Sequence, residues 1–390
     1  MKKTLVALFV ILLAVSTLFV SCSKSEGSEE ADTYKIGFIG PLTGDNANYG
    51  IRCRNASILA INEINANGGV GGKTLELISE DSEGSVEKAL ASYEKLAYTD
   101  NVCAIIGPVF TSPALAVAQR AQEDGILMIT PSATHKDITN VGDYIFRTVP
   151  SDSLQAEVAA HYFYEVLGYR NIAILYAVND YSQGLADGVE EIFTSLGGTI
   201  SAKETCMVGD KDFRTQLTEI RDVNPEAIYI PNYTVEDAQI LEQAAQLGIT
   251  APFLSSDGFS DPEIYNLAGD YTDGVVYIGP AQAEASTALL DFQQAYRDAY
   301  NGDEADSFAT NSYDAVNILA EAIERAGSAD RTAIRDEFAA TKDYQGANGT
   351  MNFAENGDLV ASQGVYDVDG TTPVYVGAFQ VQNGSIVQVD

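Results

Sequence analysis

Histidine is nearly absent from this chain, cysteine is sparse, and basic residues are heavily outnumbered. Two His, four Cys and 22 Lys plus Arg stand against 56 Asp plus Glu, a formal charge of −34. His135 and His161 have no spacing that pairs either with a nucleophile or with a second metal ligand. His161 falls inside a predicted helix and reads as structural. With Cys22 set aside, Cys53, Cys103 and Cys206 are odd in number and lack metal-ligand spacing, so neither a disulfide framework nor a zinc site is expected. A single Cys53–Cys103 bridge and buried free thiols both remain open. There is no G-x-S-x-G, and no G-x-G-x-x-G after a strand, so hydrolase and dinucleotide chemistry lack their key parts. The anionic surface repels phosphate backbones and argues against nucleic acid as a partner. The expectation is a binding protein without catalytic residues, cofactor or metal.

What is present begins with an export signal. Lys2 and Lys3 precede the apolar stretch Leu5 to Val15, which falls short of the roughly 20 apolar residues that a membrane span needs. Ser21-Cys22 at its end resembles a bacterial lipobox, with Cys22 as the lipid-modified N-terminus of the mature chain. Residues 1–21 are then a signal peptide. Residues 22–33, containing Ser23 to Asp32 with almost nothing apolar to bury, form a flexible tether. Hydrophobic residues at 46% and charged residues at 20% describe a globular remainder, long enough for two domains.

Short β-branched runs alternate with helical stretches along that remainder. Lys35–Ile39, Leu75–Ser79, Val102–Ile106 and Leu127–Thr130 read as buried parallel strands, with helices over Ile51–Ala66, Val86–Tyr98 and Ala114–Glu123 between them. A second series starts near Ser151, with strands Ile172–Tyr176, Thr199–Glu204, Ala227–Ile230, Phe253–Ser255 and Val275–Ile278. Its helices are Ser153–Leu167, Gln183–Ser195, Phe213–Asp222 and Val235–Leu247. Helices Thr287–Tyr300, Phe308–Ala326 and Thr332–Ala340 follow, then short strands with a hairpin signal at Asn383-Gly384. This is an α/β chain of two doubly wound parallel-sheet lobes joined by three hinge crossovers. The first lobe takes residues 34–149 plus 281–364 and the second 150–280 plus 365–390. The crossovers lie near Thr148-Val149-Pro150, Gly279-Pro280 and Gly364-Val365. The glycine-rich run Asn67 to Thr74 mimics a phosphate loop, but it follows a helix and precedes a strand, so a helix C-cap and turn explain it.

Candidate binding groups gather at the carboxyl ends of strands, where open α/β sheets hold ligands. After the third strand, Ser112 is placed as a cap before Pro113, leaving Thr111 and free N–H groups to receive a carboxylate. After the fourth strand come Ser132, Ala133 and Thr134. The second series offers Asn179-Asp180-Tyr181, Tyr233 and Asp257, a carboxylate with tyrosines suited to an ammonium group.

Together these residues resemble the bacterial substrate-binding proteins for leucine, isoleucine and valine, type I periplasmic binding proteins that serve ABC importers. The likeness runs from about Lys35 to Asp358. It is carried by Ile36-Gly37 through Pro41-Leu42-Thr43-Gly44, by Tyr49-Gly50 and by Ala60-Ile61-Asn62-Glu63-Ile64-Asn65-Ala66-Asn67-Gly68-Gly69. Gly125-Ile126-Leu127-Met128-Ile129-Thr130-Pro131 and Lys211-Asp212-Phe213 add to it. The resemblance implies that Thr111 holds a ligand carboxylate, that the Ser132 carbonyl meets the ammonium, and that Thr134 offers N–H and hydroxyl. Tyr181 and Tyr233 would come down on closure, and Asp257 would be the ammonium partner where the family prototype carries Glu. Tyr49, Phe110, Ala133 and Phe308 would face the side chain of a neutral, hydrophobic amino acid. The prototype's disulfide is not reproduced, its positions here being Gly84 and Phe110. The implied protein is a monomer outside the cytoplasm, tethered at the periplasmic or extracellular face through Cys22 and handing an amino acid to permease subunits. An anchored sensor of the same fold, and a small amide as ligand, are the alternatives.

Overall fold

The computed structural model describes residues 33–389, so the export segment 1–21, Cys22 and the tether as far as Asp32 lie outside the described residues. β1 (Thr33–Gly40) is buried without a break from Ile36 to Gly40, as a strand covered on both faces must be. α1 (Ala47–Ala66) follows and ends in Gly68, Gly69, Gly71 and Gly72, all at positive φ. A Cβ on Gly69 would meet the Lys73 carbonyl oxygen at 2.0 Å. The glycine run is therefore a tight turn into β2 (Thr74–Asp81), as expected. α2 (Val86–Glu94), β3 (Ala104–Ile106), α3 (Thr111–Asp124), β4 (Leu127–Thr130) and β5 (Ile145–Arg147) complete a five-stranded sheet of order β2-β1-β3-β4-β5. β1, β3, β4 and β5 pair in parallel. β5, three residues between a polar loop and Pro150, gives too short a pattern to be seen in the sequence.

The chain then crosses to a second sheet through α4 (Asp152–His161), β6 (Asn171–Ala177), α5 (Asp180–Ser195), β7 (Thr199–Cys206) and α6 (Arg214–Val223). β8 (Ala227–Tyr229), α7 (Thr234–Gln246), β9 (Phe253–Ser255), α8 (Glu263–Ala268) and β10 (Val276–Pro280) continue it. α9 (Thr287–Ala299), α10 (Ser307–Ala326), α11 (Arg331–Ala339) and the small hairpin β11 (Tyr344–Gly346)–β12 (Gly349–Met351) return to the first sheet. A third crossing leads to β13 (Gln363–Asp369), β14 (Thr372–Gln382) and β15 (Ser385–Val389). The order is β15-β14-β13-β10-β9-β8-β6-β7. β6 to β10 pair in parallel, whereas β13, β14 and β15 add antiparallel. The second sheet is thus mixed rather than purely parallel, because β13 enters from the opposite lobe and runs back along β10. At that junction Gly279 lies opposite Gly364 and Pro280 opposite Gln363.

Both sheets carry helices on each face. Ile36, Phe38 and Ile106 pack against Val316 and Leu319 of α10 on one side of the first sheet. Ile39, Ile105 and Met128 pack against Val117 and Ala121 of α3 on the other. In the second lobe Ile228 and Ile230 meet Leu217 and Ile240, while Ile172 and Ile174 meet Val158 and Val189. His161 closes α4 with Nδ1 2.5 Å from Glu165 Oε1, a structural role as expected. Cys53, Cys103 and Cys206 are separate, buried and unbridged. Burial pushes the Cys103 and Cys206 thiols up to about 12, far from a reactive thiolate.

Candidate functional site

The two parallel runs share one plan: β2-β1-β3-β4-β5 in the first lobe and β7-β6-β8-β9-β10 in the second. Each order reverses once, between β1 and β3 and between β6 and β8, and the crevice at such a reversal is where open sheets bind ligands. The loops beyond those strands supply the lining of one inner cavity of about 10 Å³: Tyr49, Val109, Thr111, Ser132, Tyr181, Tyr233, Asp257, Gly258 and Phe308. No Lys, Arg or His is among these described lining residues.

The first lobe contributes its groups through helix starts. α3 begins at Thr111 with Phe110 extended before it, so Ser112 is not the cap that the sequence pattern implied. Pro113 still falls in the first turn, where its missing N–H leaves no helical bond unmade. Freed from capping, Ser112 Oγ accepts the Asp180 N–H of the second lobe at 3.3 Å. The Thr111 N–H is directed to the Tyr233 hydroxyl. Thr130 Oγ1 ties the two loops together, donating to the Pro108 carbonyl at 2.8 Å and accepting the Ala133 N–H at 2.9 Å. Tyr49, near the start of α1, reaches across the cleft. Its hydroxyl donates to the Gly258 carbonyl at 2.6 Å and lies 2.8 Å from Thr234 Oγ1.

The second lobe answers with aromatic rings and acid. Asn179 caps α5 by accepting the Ser182 N–H at 2.9 Å, which fixes Tyr181 at the helix start. The Tyr181 hydroxyl donates to Asp257 Oδ1 at 2.7 Å, and Gln155 Nε2 donates to the same oxygen at 3.0 Å. Burial raises the Asp257 carboxyl above its usual range, and those two hydrogen bonds oppose the shift. Burial likewise raises Tyr49, Tyr181 and Tyr233, so all three are neutral hydroxyls at physiological pH. Tyr233 stacks on Tyr181 with ring centroids 4.9 Å apart and on Phe110 at 4.5 Å. Gly258 must be glycine, since a Cβ there would lie 2.1 Å from the Asn232 carbonyl oxygen. Asn232 itself is buried, accepting the Ala177 N–H at 2.7 Å and donating to Asp237 at 3.1 Å.

Of the ten residues singled out by sequence, Tyr49, Thr111, Ser132, Tyr181, Tyr233, Asp257 and Phe308 meet at the inner cavity. Phe110 lines an outer vestibule of about 390 Å³, where its stack with Tyr233 separates vestibule from cavity. Ala133 packs into the first-lobe core near Ile39 and Ile138. Thr134 is buried beside Asp152, its carbonyl accepting Arg147 at 2.6 Å and the Asp152 N–H at 2.8 Å. Sequence reasoning missed Asp152 and Gln155, which at a helix start look like ordinary solvated residues, and the buried pair Arg52–Asp261, whose members are 209 positions apart. Only the i, i+3 spacing of Asp152 and Gln155, which puts both on one helix face, hinted at a joint role. Among the described residues no group of His, Cys, Asp or Glu is arranged to hold a metal ion, and no helix is long and apolar enough to cross a membrane.

Two lobes of like topology closing on one cleft lined by hydroxyls, rings and an acid define a ligand-binding protein of clamp type, and the chain belongs to the periplasmic binding protein family, whose match covers residues 33–372. Within it the chain groups with the type I leucine/isoleucine/valine-binding proteins. The leucine-, isoleucine-, valine-, threonine- and alanine-binding protein of Pseudomonas aeruginosa is 33% identical over 336 residues, spanning 85% of this chain and 88% of its own. The branched-chain amino acid transporter substrate-binding protein LivJ of Streptococcus pneumoniae, solved with isoleucine, superposes with a TM-score of 0.82 at 29% identity, covering 92% of this chain and all (100%) of its own. The leucine-binding protein LivK of Thermotoga maritima gives a TM-score of 0.83 at 31% identity, over 88% and 98% of the two chains.

Proposed function

We propose that this protein captures a neutral, hydrophobic amino acid outside the cytoplasm and delivers it to the permease of an ABC importer. The observation that carries the reading is the pairing of Thr111 at a helix start in one lobe with buried Asp257 in the other, on a single cavity otherwise lined by rings, hydroxyls and apolar groups. Free N–H groups at the start of α3 suit the carboxylate. Asp257 with the Ser132 carbonyl suits the ammonium, and Tyr49 and Phe308 suit an uncharged side chain. At about 10 Å³ the inner cavity has room for little more than one water, far below the roughly 300–1,000 Å³ usual for ligand pockets. Entry therefore requires the lobes to part at the three crossings and the Tyr233 ring to swing away from Phe110. Closure then returns Tyr181, Tyr233 and Asp257 to the ligand and excludes water, which strengthens the polar contacts. A monomer tethered through a lipid on Cys22 completes the reading, with the closed form as the species recognised by the permease.

Thermal shift against the common amino acids, after unfolding and refolding to strip carried-over ligand, identifies the ligand. Asp257→Asn should weaken it by about 2–5 kcal/mol, roughly 30-fold to several-thousand-fold, while the melting temperature without ligand stays nearly the same. Near-native affinity in that variant would remove Asp257 from the ammonium role. Chemical turnover of the amino acid would point to an enzyme instead.

A further inference from the structure

Asp152, the first residue of α4, is 4% exposed, and neither of its side-chain oxygens makes a hydrogen bond. The Thr134 hydroxyl stands near enough to favour the charged carboxylate, yet it too is buried and out of bonding geometry. The nearest guanidinium, Arg147, is committed elsewhere. It meets Asp358 Oδ1 at 2.7 Å, the Thr134 and His135 carbonyls at 2.6 and 3.0 Å, and Thr139 Oγ1 at 2.9 Å. One turn along α4, Gln155 holds Asp257 from two sides, donating to Oδ1 at 3.0 Å and accepting the Asp257 N–H at 2.9 Å. The same helix thus brings two carboxyl groups to one pole of the cleft, where burial and then the Asp257 charge raise the hold of Asp152 on its proton. The groups facing the pair are Arg147 from β5, the hydroxyls of Tyr181 and Tyr233, and Tyr229 from β8, whose own hydroxyl is buried without a hydrogen bond, while Lys136, Asp187 and Glu191 line the outer pocket that Asp152 borders. His135, beyond Arg147, is pushed by burial toward its neutral form and adds no cation.

A lone buried charge of this kind is unfavourable by several kcal/mol unless it is paired or neutralised. We infer that Asp152 and Asp257 together carry one proton when no ligand is bound, held on one carboxyl or the other, and surrender it to solvent when an ammonium group enters, so that capture is coupled to proton release. The ammonium takes over the positive charge that the proton had supplied, and a ligand with only a carboxylate leaves the proton in place. The pair thereby favours amino acids over simple carboxylic acids. The inference rests on the amino-acid reading above and adds Asp152 to it as a positioning residue.

Isothermal titration calorimetry tests it on the whole protein. The probe is L-leucine, or whichever of L-isoleucine, L-valine and L-phenylalanine gives the larger thermal shift. Titrations at pH 6.5 in phosphate and in imidazole separate proton exchange from binding heat, because the two buffers differ in ionisation enthalpy. Release of up to one proton per ligand is expected, with affinity rising as pH rises, by at most about tenfold per pH unit. Asp152→Asn should bind more weakly and release less than half as many protons. Binding with no proton exchange in the natural protein overturns the inference and leaves the amino-acid reading intact; unchanged release in Asp152→Asn removes Asp152 from the pair. No heat with any of the four amino acids overturns the amino-acid reading itself. Should Asp152→Asn fail to fold, the two-buffer comparison on the natural protein still decides.

Discussion

Arg52 spans the cleft, and its removal should open the protein rather than unfold it. The guanidinium pairs with Asp261 of the second lobe and lies 3.7 Å from Asp306 and 4.0 Å from Asp303 of the first. Arg52 is 8% exposed and Asp261 2%. Asp261 has further partners in Thr234 Oγ1 at 3.1 Å and the Glu263 N–H at 3.0 Å, whereas Asp306 Oδ2 has no hydrogen bond. Breaking a buried pair from one side is unfavourable by about 3–5 kcal/mol, because the abandoned charge remains out of water. Here there is relief short of unfolding: Asp261 and Arg52 sit on opposite lobes, so parting the lobes rehydrates the acid. The penalty therefore falls on the closing equilibrium. An affinity that requires closure weakens by the same factor as the closed population. For Arg52→Met, which keeps an apolar stem of similar course but no charge, the expected loss is about 100-fold or more in Kd. The ligand-free melting temperature should move by only a few degrees. Calorimetry reads the first effect, and small-angle scattering should show a larger radius of gyration without ligand. A Kd within threefold of the natural protein, with an unchanged scattering profile, would refute the idea that this pair fastens the lobes.

Tyr49→Phe should weaken binding by roughly 5- to 100-fold in calorimetry, since it strips the Gly258 carbonyl of a 2.6 Å cross-cleft bond at about 1–3 kcal/mol. Burial lifts Asp306 and Asp314 from 3.8 to about 6. The folded state therefore keeps protons that the unfolded state loses between about pH 4 and 6, and stability falls as pH rises through that window. Scanning calorimetry should show a lower melting temperature at pH 7 than at pH 5, with a flatter slope in Asp306→Asn, which preserves the helix cap. The depressed carboxyls Asp81 and Asp143 act below 3.8 and do not mask this. In a Cys22→Ser chain a thiol reagent should find no reactive cysteine until denaturant is added, and then all three buried ones. Reaction in the folded state would contradict their burial.

The alternation of buried strands and helices was enough to read the two lobes, because parallel strands covered on both faces are nearly uniform apolar runs. Five of the seven cavity residues, Thr111, Ser132, Tyr181, Tyr233 and Asp257, were legible for a related reason: they follow strand ends, and strand ends are visible, whereas Tyr49 and Phe308 came from the family resemblance. The antiparallel addition of β13 to β15 was less so, since nothing local in Gln363–Asp369 tells which strand it will join. Contacts formed only by tertiary approach were invisible. Arg52 lies mid-helix, Asp261 just before a short one, and their partnership exists because two lobes meet. Ser112 illustrates the reverse error, a good cap residue displaced by two positions because the helix starts early and the hydroxyl finds the other lobe. Ala133 shows the limit of carrying a position across by likeness, as its methyl faces the core.

The matched strand order has an implication for how such a protein changes its ligand. Tyr49 and Tyr181 each follow the first strand of their sheet, Thr111 and Tyr233 the third, and Ser132 and Asp257 the fourth. On the amino-acid reading proposed above, each half is a half-site built on the same scaffold, and the six reading heads form three couples at corresponding strand ends. Exchanging one head leaves the other five on unaltered strand ends, so recognition can drift couple by couple while the hinges and cores stay as they are.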